Sequence, residues 1–264
     1  MSESTFISDA QFTKYIGVLK QYPISLFDQF NGGLYLPNRL DSLFQDAAMT
    51  IPVTAPGDPV GAMLDLSGRE NHWLSANPGT YQVANGRRVV RFSGTAQGMY
   101  MRASGREIFS GAQQGLVILR ASVNGTVTGR HMFRANVQGG NVALLALYMN
   151  STANNMRMGA RRLTGEAESL NSYPGISGAP ESYTFDVDWF NGRFDSYKNG
   201  SGLLTKTLES IGGLPQSPVN GMFLANYDST GYAAMDFHGG AILAGVGNLS
   251  AERERLEQWI AENS

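Results

Sequence analysis

The sequence has no cysteine, and this absence excludes several kinds of site. A disulfide-stabilised scaffold, a zinc site with cysteine ligands and a catalytic thiol all need a residue that the chain lacks. The compartment stays open, because a protein without cysteine can fold in oxidising or reducing surroundings. Charged residues are also scarce, at 16% of 264, and the formal net charge is -2. So small a net charge gives no electrostatic reason to expect nucleic acid or an anionic membrane as partner.

Long hydrophobic runs and clustered histidines are missing as well. No apolar run approaches the roughly 18 residues that a membrane span needs. The N-terminal MSESTFISDAQFTKYIG lacks the basic start and apolar core of a secretory signal. His72, His131 and His238 have no close spacing, and no phosphate-binding loop motif occurs. We therefore expect no membrane insertion, no ordinary export signal, no metal site and no cofactor.

Glycine, by contrast, is abundant at 32 residues, and Asn-Gly pairs recur along the chain. Short apolar or alternating segments bounded by Gly or Asn fill the sequence from Gly33 onward, which predicts an all-β sandwich or barrel. In YQVANGRRVVRFSG, the pair Asn85-Gly86 predicts a hairpin with a type I′ turn. No fixed period accompanies these signals, so a propeller or solenoid is excluded.

The segment SYTFDVDWF alternates aromatic or apolar residues with two aspartates. Asp186 and Asp188 are predicted to share one face of a strand, opposite the rings. Paired carboxylates can hydrolyse a sugar linkage, but this segment has no glutamate and turns at once at Asn191-Gly192. We expect both carboxylates to face solvent; hydrolysis or a surface cation site are the alternatives.

A short amphipathic helix is predicted near residues 9–20, ending before Pro23. One face of this helix carries four apolar residues, which we predict to bind a partner: Phe12, Tyr15, Ile16 and Leu19. The alternative is that this face packs on its own domain. We assign residues 1–32 to an anchoring or oligomerisation segment and 33–264 to a single β domain.

A second helix is predicted at the C-terminal end. Ser250 is a suitable N-cap, and the acids that follow suit the first turn of a helix. Leu256, Trp259 and Ile260 form its apolar stripe. The predicted fold is therefore a two-sheet antiparallel β-sandwich with a short helix near each end.

Several segments resemble a known family. SYKNGSG is similar to the Tyr-x-Asn-Gly hairpin of laminin-G-like, concanavalin A-like jelly rolls, and FHGGAILAGVGNLSAERERLEQWIAE is similar to their closing strand and helix. In bacterial and phage members a Leu-Ser-x-x-Glu-Arg pattern begins that helix; here the Glu-Arg pair comes one place early, at Glu252-Arg253. LDSLFQDAAMTIPVTAPGDPVGAMLDLSGRENHW resembles the opening segment of such domains in tailed-phage virion proteins. The resemblance covers about residues 33–262.

This resemblance implies a concanavalin A-like jelly roll with a non-enzymatic structural or adhesive role. The chain would decorate a phage capsid or belong to a tail or fibre, assembled in the host cytoplasm as a homo-oligomer beside other virion proteins. Many laminin-G-like domains hold calcium at the sandwich rim, but no residue here matches that site, so no metal ligand is carried over.

A carbohydrate-binding module for host glycan is the alternative function, and a glycosidase is the third hypothesis. Aromatic rings in loops can stack on sugars while neighbouring Asn or Asp bind hydroxyl groups. The predicted glycan-binding residues are Trp73, Asn226, Tyr227, Asp228 and Tyr232.

Overall fold

The structure is a computed structural model in which the described residues are 22–101, 107–125, 130–137, 143–150, 155–163, 165–209, 212–215, 219–225 and 232–264. The strands, in chain order, are β1 (Asn31–Tyr35), β2 (Leu43–Phe44), β3 (Pro59–Met63), β4 (Trp73–Ala84), β5 (Arg87–Ser93), β6 (Gly98–Met101), β7 (Gln114–Val123), β8 (His131–Val137), β9 (Ala143–Asn150), β10 (Asn155–Ala160), β11 (Ser169–Pro174), β12 (Glu181–Asp188), β13 (Arg193–Lys198), β14 (Ser201–Thr207), β15 (Val219–Leu224) and β16 (Ala234–Gly245). Among the described residues, the helices are α1 (Leu26–Gln29) and α2 (Arg253–Asn263), with 3-10 turns at Leu40–Ser42 and Leu249–Glu252. The predicted helix near residues 9–20, with Phe12, Tyr15, Ile16 and Leu19, lies outside the described residues.

These strands form one antiparallel sheet that folds back on itself. The hydrogen-bonded order is β11-β10-β9-β8-β15-β6-β4-β5-β16-β7-β12-β13-β14, with β1 beside β16 and β3 joining β2 to β4. Two layers result: a front sheet (β1, β16, β7, β12, β13 and β14) and a back sheet (β6, β15, β8, β9, β10 and β11), linked through β4 and β5. Phe133 of the back sheet lies 6.4 Å from Phe185 of the front sheet between ring centroids. The predicted antiparallel β-sandwich is confirmed.

Two Asn-Gly pairs form tight turns in which both residues have positive φ. Asn85 and Gly86, at φ 53° and 76°, join β4 to β5, which is the predicted type I′ hairpin. Asn199 and Gly200, at 54° and 71°, join β13 to β14 in the same way. Gly adopts this backbone region without steric cost and Asn adopts it more readily than most other residues, so the turn positions could be predicted from two letters of sequence.

The main core lies between the two sheets, and the predicted aromatic face of β12 points into it. Phe185 stacks on Phe194 of β13 at 6.0 Å, and Trp189 meets Phe109 edge-on at 5.5 Å. Gly115 of β7 leaves room for the indole, because a Cβ there would stand 2.5 Å from the Trp189 ring. Replacing this glycine would push the largest side chain of the core out of place.

A second core covers the outer face of the front sheet. β16 is buried along nearly its whole length, so its two faces serve two different cores. The second core joins β1, β7 and β16 to both helices through eleven buried residues: Leu26, Phe27, Phe30, Leu34, Leu116, Ile118, Ala241, Leu243, Leu249, Leu256 and Ile260. Residues 22–32, which were assigned to the N-terminal segment, supply α1 and the start of β1 to this core, and the division at residue 32 stays a prediction.

The polar face of β12 is also buried, which corrects the expectation that its aspartates face solvent. Asp186 and Asp188 are 1% and 5% exposed, because the C-terminal 3-10 turn and α2 pack over this face. Asp186 accepts a hydrogen bond from Ser250 Oγ at 2.8 Å, with Arg193 Nη2 3.8 Å away. Asp188 accepts bonds from the Asn191 backbone N–H and the Gln114 amide, at 2.9 and 3.1 Å.

Ser250 therefore does not act as the predicted N-cap. Its hydroxyl donates to Asp186 and accepts from Arg193 Nη2 at 2.9 Å, and no side-chain cap bond starts either the 3-10 turn or α2. Burial raises the pKa of Asp186, while the bond from Ser250 and the charge of Arg193 lower it in part. The carboxylate thus fastens the C-terminal turn to the front sheet.

Phe27→Ala should lower the free energy of unfolding by about 3–5 kcal/mol, because Phe27 is 2% exposed and fills the second core. Phe190→Ala is the matched control, since this ring is 46% exposed, and should change stability by no more than about 0.5 kcal/mol. Chemical denaturation measures both variants. Equal effects would contradict the assignment of α1 to the domain.

Ser250→Ala should cost about 1.5–3 kcal/mol at neutral pH, because a buried carboxylate loses its closest donor. The cost should shrink as the pH falls into the range where Asp186 is protonated, since a neutral carboxyl group depends less on that bond. Denaturation curves at several pH values measure this trend. Ser201→Ala, at an exposed serine of β14, is the control; a cost that is the same at every pH would refute the role given to Asp186.

Candidate functional site

Trp73 does not belong to a binding site, which corrects one predicted glycan-binding residue. The ring is 1% exposed and packs edge-on against Tyr35, with centroids 5.7 Å apart. Trp73 begins β4 on the face that points into the main core. The prediction had placed it at a loop because the polar segment RENH precedes it. A ring without an exposed face cannot stack on a sugar.

Tyr232 lies in a surface depression, which we call the aromatic groove. Its lining includes Asn77, Gly98, Tyr100, Gly221, Phe223 and Tyr232. Its volume is about 190 Å³, below the roughly 300–1,000 Å³ of pockets for drug-sized ligands. The groove therefore has room for little more than one ring of a ligand. The predicted neighbours Asn226, Tyr227 and Asp228 lie outside the described residues.

Strand register brings the other two rings of the groove together. Tyr100 of β6 stands directly opposite Phe223 of β15 and, on its other side, opposite Leu74 of β4. Cross-strand partners project from the same face of a sheet. Met99 and Met101 are 1% exposed in the main core, so Tyr100, which alternates with them, points outward. Tyr100 and Phe223 thus form a row on the outer face of the back sheet.

Exposure and backbone shape make this row available to a ligand. Tyr100 is 39% exposed, and Phe223 and Tyr232 are partly buried. Gly221 lets the Phe223 ring lie down over the strand, because a Cβ at this position would stand 2.8 Å from a ring carbon. Asn77, exposed at the rim, carries an amide that can both donate and accept. Three ring faces beside one amide can bind a flat or half-flat polar ligand.

Of the residues that line the groove, Tyr232 was predicted from the sequence, and Tyr100, Phe223 and Asn77 were not. The alternation of GMYM indicated that Tyr100 faces away from its flanking methionines, and this signal was available. The pairing of Tyr100 with Phe223 joins residues more than a hundred positions apart. No local pattern announces such a pairing, so the groove as a unit needed the structure.

The described residues give little evidence for other kinds of site. Within those ranges, no three His, Asp or Glu side chains come together as metal ligands do. His131 and His238 both have their pKa lowered to about 4 by burial, so each is neutral at physiological pH. Among the described helices, none is long and apolar enough to cross a membrane.

Comparison with known proteins gives the fold class but no family. No family model matches the chain, and no curated protein matches it. Among solved structures, Trypanosoma rangeli sialidase has a TM-score of 0.60 at 14% identity, over 96% of this chain and 39% of the sialidase chain. The binding domain of Paraclostridial Mosquitocidal Protein 1 has a TM-score of 0.57 at 14% identity, over 88% of this chain and 52% of that chain.

The binding domain of botulinum neurotoxin DC, solved with rat synaptotagmin II, has a TM-score of 0.54 at 12% identity, over 75% of this chain and 49% of the other. The chain thus spans between about a third and about half of the length of these solved chains. Identities this low show a shared fold alone. That fold is an antiparallel β-sandwich, and none of these neighbours is a virion protein, so the virion role rests on the sequence resemblance.

Proposed function

We propose that the chain is a non-catalytic carbohydrate-binding β-sandwich that holds a saccharide in the aromatic groove. The observation that carries this proposal is the outward row of Tyr100 and Phe223, joined by Tyr232 and bordered by the Asn77 amide. Sugar rings present C–H faces to aromatic rings and hydroxyl groups to amides, and the groove offers both partners.

Binding without hydrolysis is supported by the composition of the groove. Its described lining contains no carboxylate and no histidine, whereas glycoside hydrolysis commonly uses two carboxylates that flank the linkage. The aspartate pair of β12 lies in the other sheet beneath α2, and both carboxylates are already occupied by protein donors. We therefore propose recognition of a host surface glycan as the function, and not turnover.

The size of the groove limits the affinity of one site. A cavity of about 190 Å³ encloses little of an oligosaccharide, and each aromatic contact adds only about 0.5–1.5 kcal/mol beyond buried area. Joining several such sites in one assembly raises the overall avidity by about 10²–10⁴. A homo-oligomer on a phage particle, as the resemblance to virion proteins implies, would provide such multivalency.

Tyr100→Ala and Tyr232→Ala should each lower saccharide affinity about tenfold, because each removes a stacking surface worth about 1.4 kcal/mol. A glycan array identifies the saccharide, and calorimetry or NMR titration measures the affinity. Phe190→Ala, an exposed ring outside the groove lining, should leave the affinity unchanged. Unaltered binding in both tyrosine variants would refute the site, and release of new reducing ends would refute the non-catalytic assignment.

Removal of residues 1–21 should leave a folded chain that still binds saccharide but no longer joins a phage particle. The cut falls at residue 21 because Leu26, Phe27 and Phe30 belong to the second core. Circular dichroism checks the fold, and mass spectrometry of purified particles checks incorporation beside the full-length chain. Normal incorporation of the shortened chain would contradict the anchoring role proposed for the N-terminal segment.

A further inference from the structure

A second cavity lies on the opposite sheet, beneath α2. Its volume is about 480 Å³, within the range of small-molecule sites. Arg120 of β7 and Ser182 of β12 form one wall, Glu254 and Glu257 of α2 form another, and the Asn199 turn closes one side. We call it the helix cavity. The aromatic groove shares none of these residues.

One wall of the helix cavity carries a positive charge without a counter-ion. Arg120 Nη1 donates to the Ser182 hydroxyl at 3.3 Å, and no acid among the described residues lies within salt-bridge distance of this guanidinium. Its Nε is buried without a hydrogen-bond partner. Burial and the neighbouring Arg87 both lower the pKa of Arg120. An anionic group in the cavity would offset both unfavourable effects.

The turn beside Arg120 adds further donors. The side-chain Oδ1 of Asn199 accepts the Ser182 backbone N–H at 2.8 Å, which orients the amide and leaves its NH2 group as a donor. Asn199 itself is held at φ 54° by the type I′ turn. A guanidinium with an amide beside it is suited to bind a carboxylate.

The opposite wall carries more negative than positive charge. Arg253 donates to Glu257 Oε2 and to Glu254 Oε1, both at 2.9 Å, so one guanidinium serves two carboxylates. The Arg253 guanidinium also lies over the Tyr197 ring at 3.7 Å, which fixes its position. Glu257 is 6% exposed; burial raises the pKa of its carboxyl group, while a hydrogen bond from Thr184 and the charge of Arg253 lower it in part. This wall is therefore suited to attract a cationic group.

We propose that the helix cavity binds a small zwitterion, with its carboxylate against Arg120 and its ammonium group toward Glu254 and Glu257. Amino acids and other short ω-amino carboxylates are the chemical class. A simple anion or cation would neutralise only one wall, and a neutral polyol would neutralise neither. The Glu254 side chain is 83% exposed, so the ligand can enter on that side without displacement of α2.

NMR or calorimetric titration with glycine, 4-aminobutyrate and 6-aminohexanoate tests this proposal on the full chain. At least one of these should bind saturably and about tenfold more tightly than acetate, methylammonium or sorbitol. The same ligand should still bind to the Tyr100→Ala chain, and this result would distinguish the helix cavity from the aromatic groove. No saturable binding of any of the three, or equal binding of sorbitol or acetate, would overturn the proposal.

Arg120→Gln and Glu257→Gln should each weaken zwitterion binding at least tenfold, because each removes the charge of one wall. Arg88→Gln and Glu262→Gln are the matched controls outside the cavity lining and should bind as the parent chain does. Asn199→Asp gives an independent test that keeps the turn and the oxygen that accepts from Ser182, but replaces the donor NH2 group with an anionic oxygen. Parent-like affinity in folded Arg120→Gln and Asn199→Asp chains would overturn the assignment.

Discussion

The front sheet has to be covered on both faces, and the rest of the molecule follows from that requirement. Its central strands β16, β7 and β12 are buried along almost their whole length. The back sheet covers one face through the main core. The other face would expose Leu34, Ile118 and Leu243 to water if α1 and α2 did not cover it. Burial of apolar surface contributes about 25 cal/mol per Å² to stability. Helices as short as α1 and α2 are not stable alone in water, so their packing on this face stabilises the sheet and the helices together.

The same constraint explains why the two outer faces differ in chemical character. The helices that cover the front sheet meet it imperfectly along its polar side, where Ser182 and Arg120 lie beneath Glu257. A polar cavity remains there between a strand face and a helix face. The back sheet has no such cover around β6 and β15, and its outward rings stay accessible. One face therefore offers charge and depth, and the other offers apolar ring surface.

Features that depend on residues close together in the sequence could be predicted, and features that depend on distant contacts could not. The hairpins at Asn85-Gly86 and Asn199-Gly200 were predictable because the turn residues themselves determine the backbone. The inward face of β12 was predictable because side chains alternate in a strand. Asp186 was misassigned because its partner Ser250 lies 64 residues away. Trp73 was misassigned for a related reason, since only the tertiary fold shows which face of β4 meets Tyr35. Tyr100 and Phe223 became one site only through strand register.

The C-terminal turn connects these observations. Asp186 is a costly residue to bury, because burial disfavours its charged form and raises its pKa; the Ser250 hydroxyl and the nearby Arg193 offset part of that cost. These contacts hold the 3-10 turn against β12, and that turn leads directly into α2, which carries Arg253, Glu254 and Glu257. Asp186, which was expected to face solvent, thus connects the turn that leads into α2 to the front sheet.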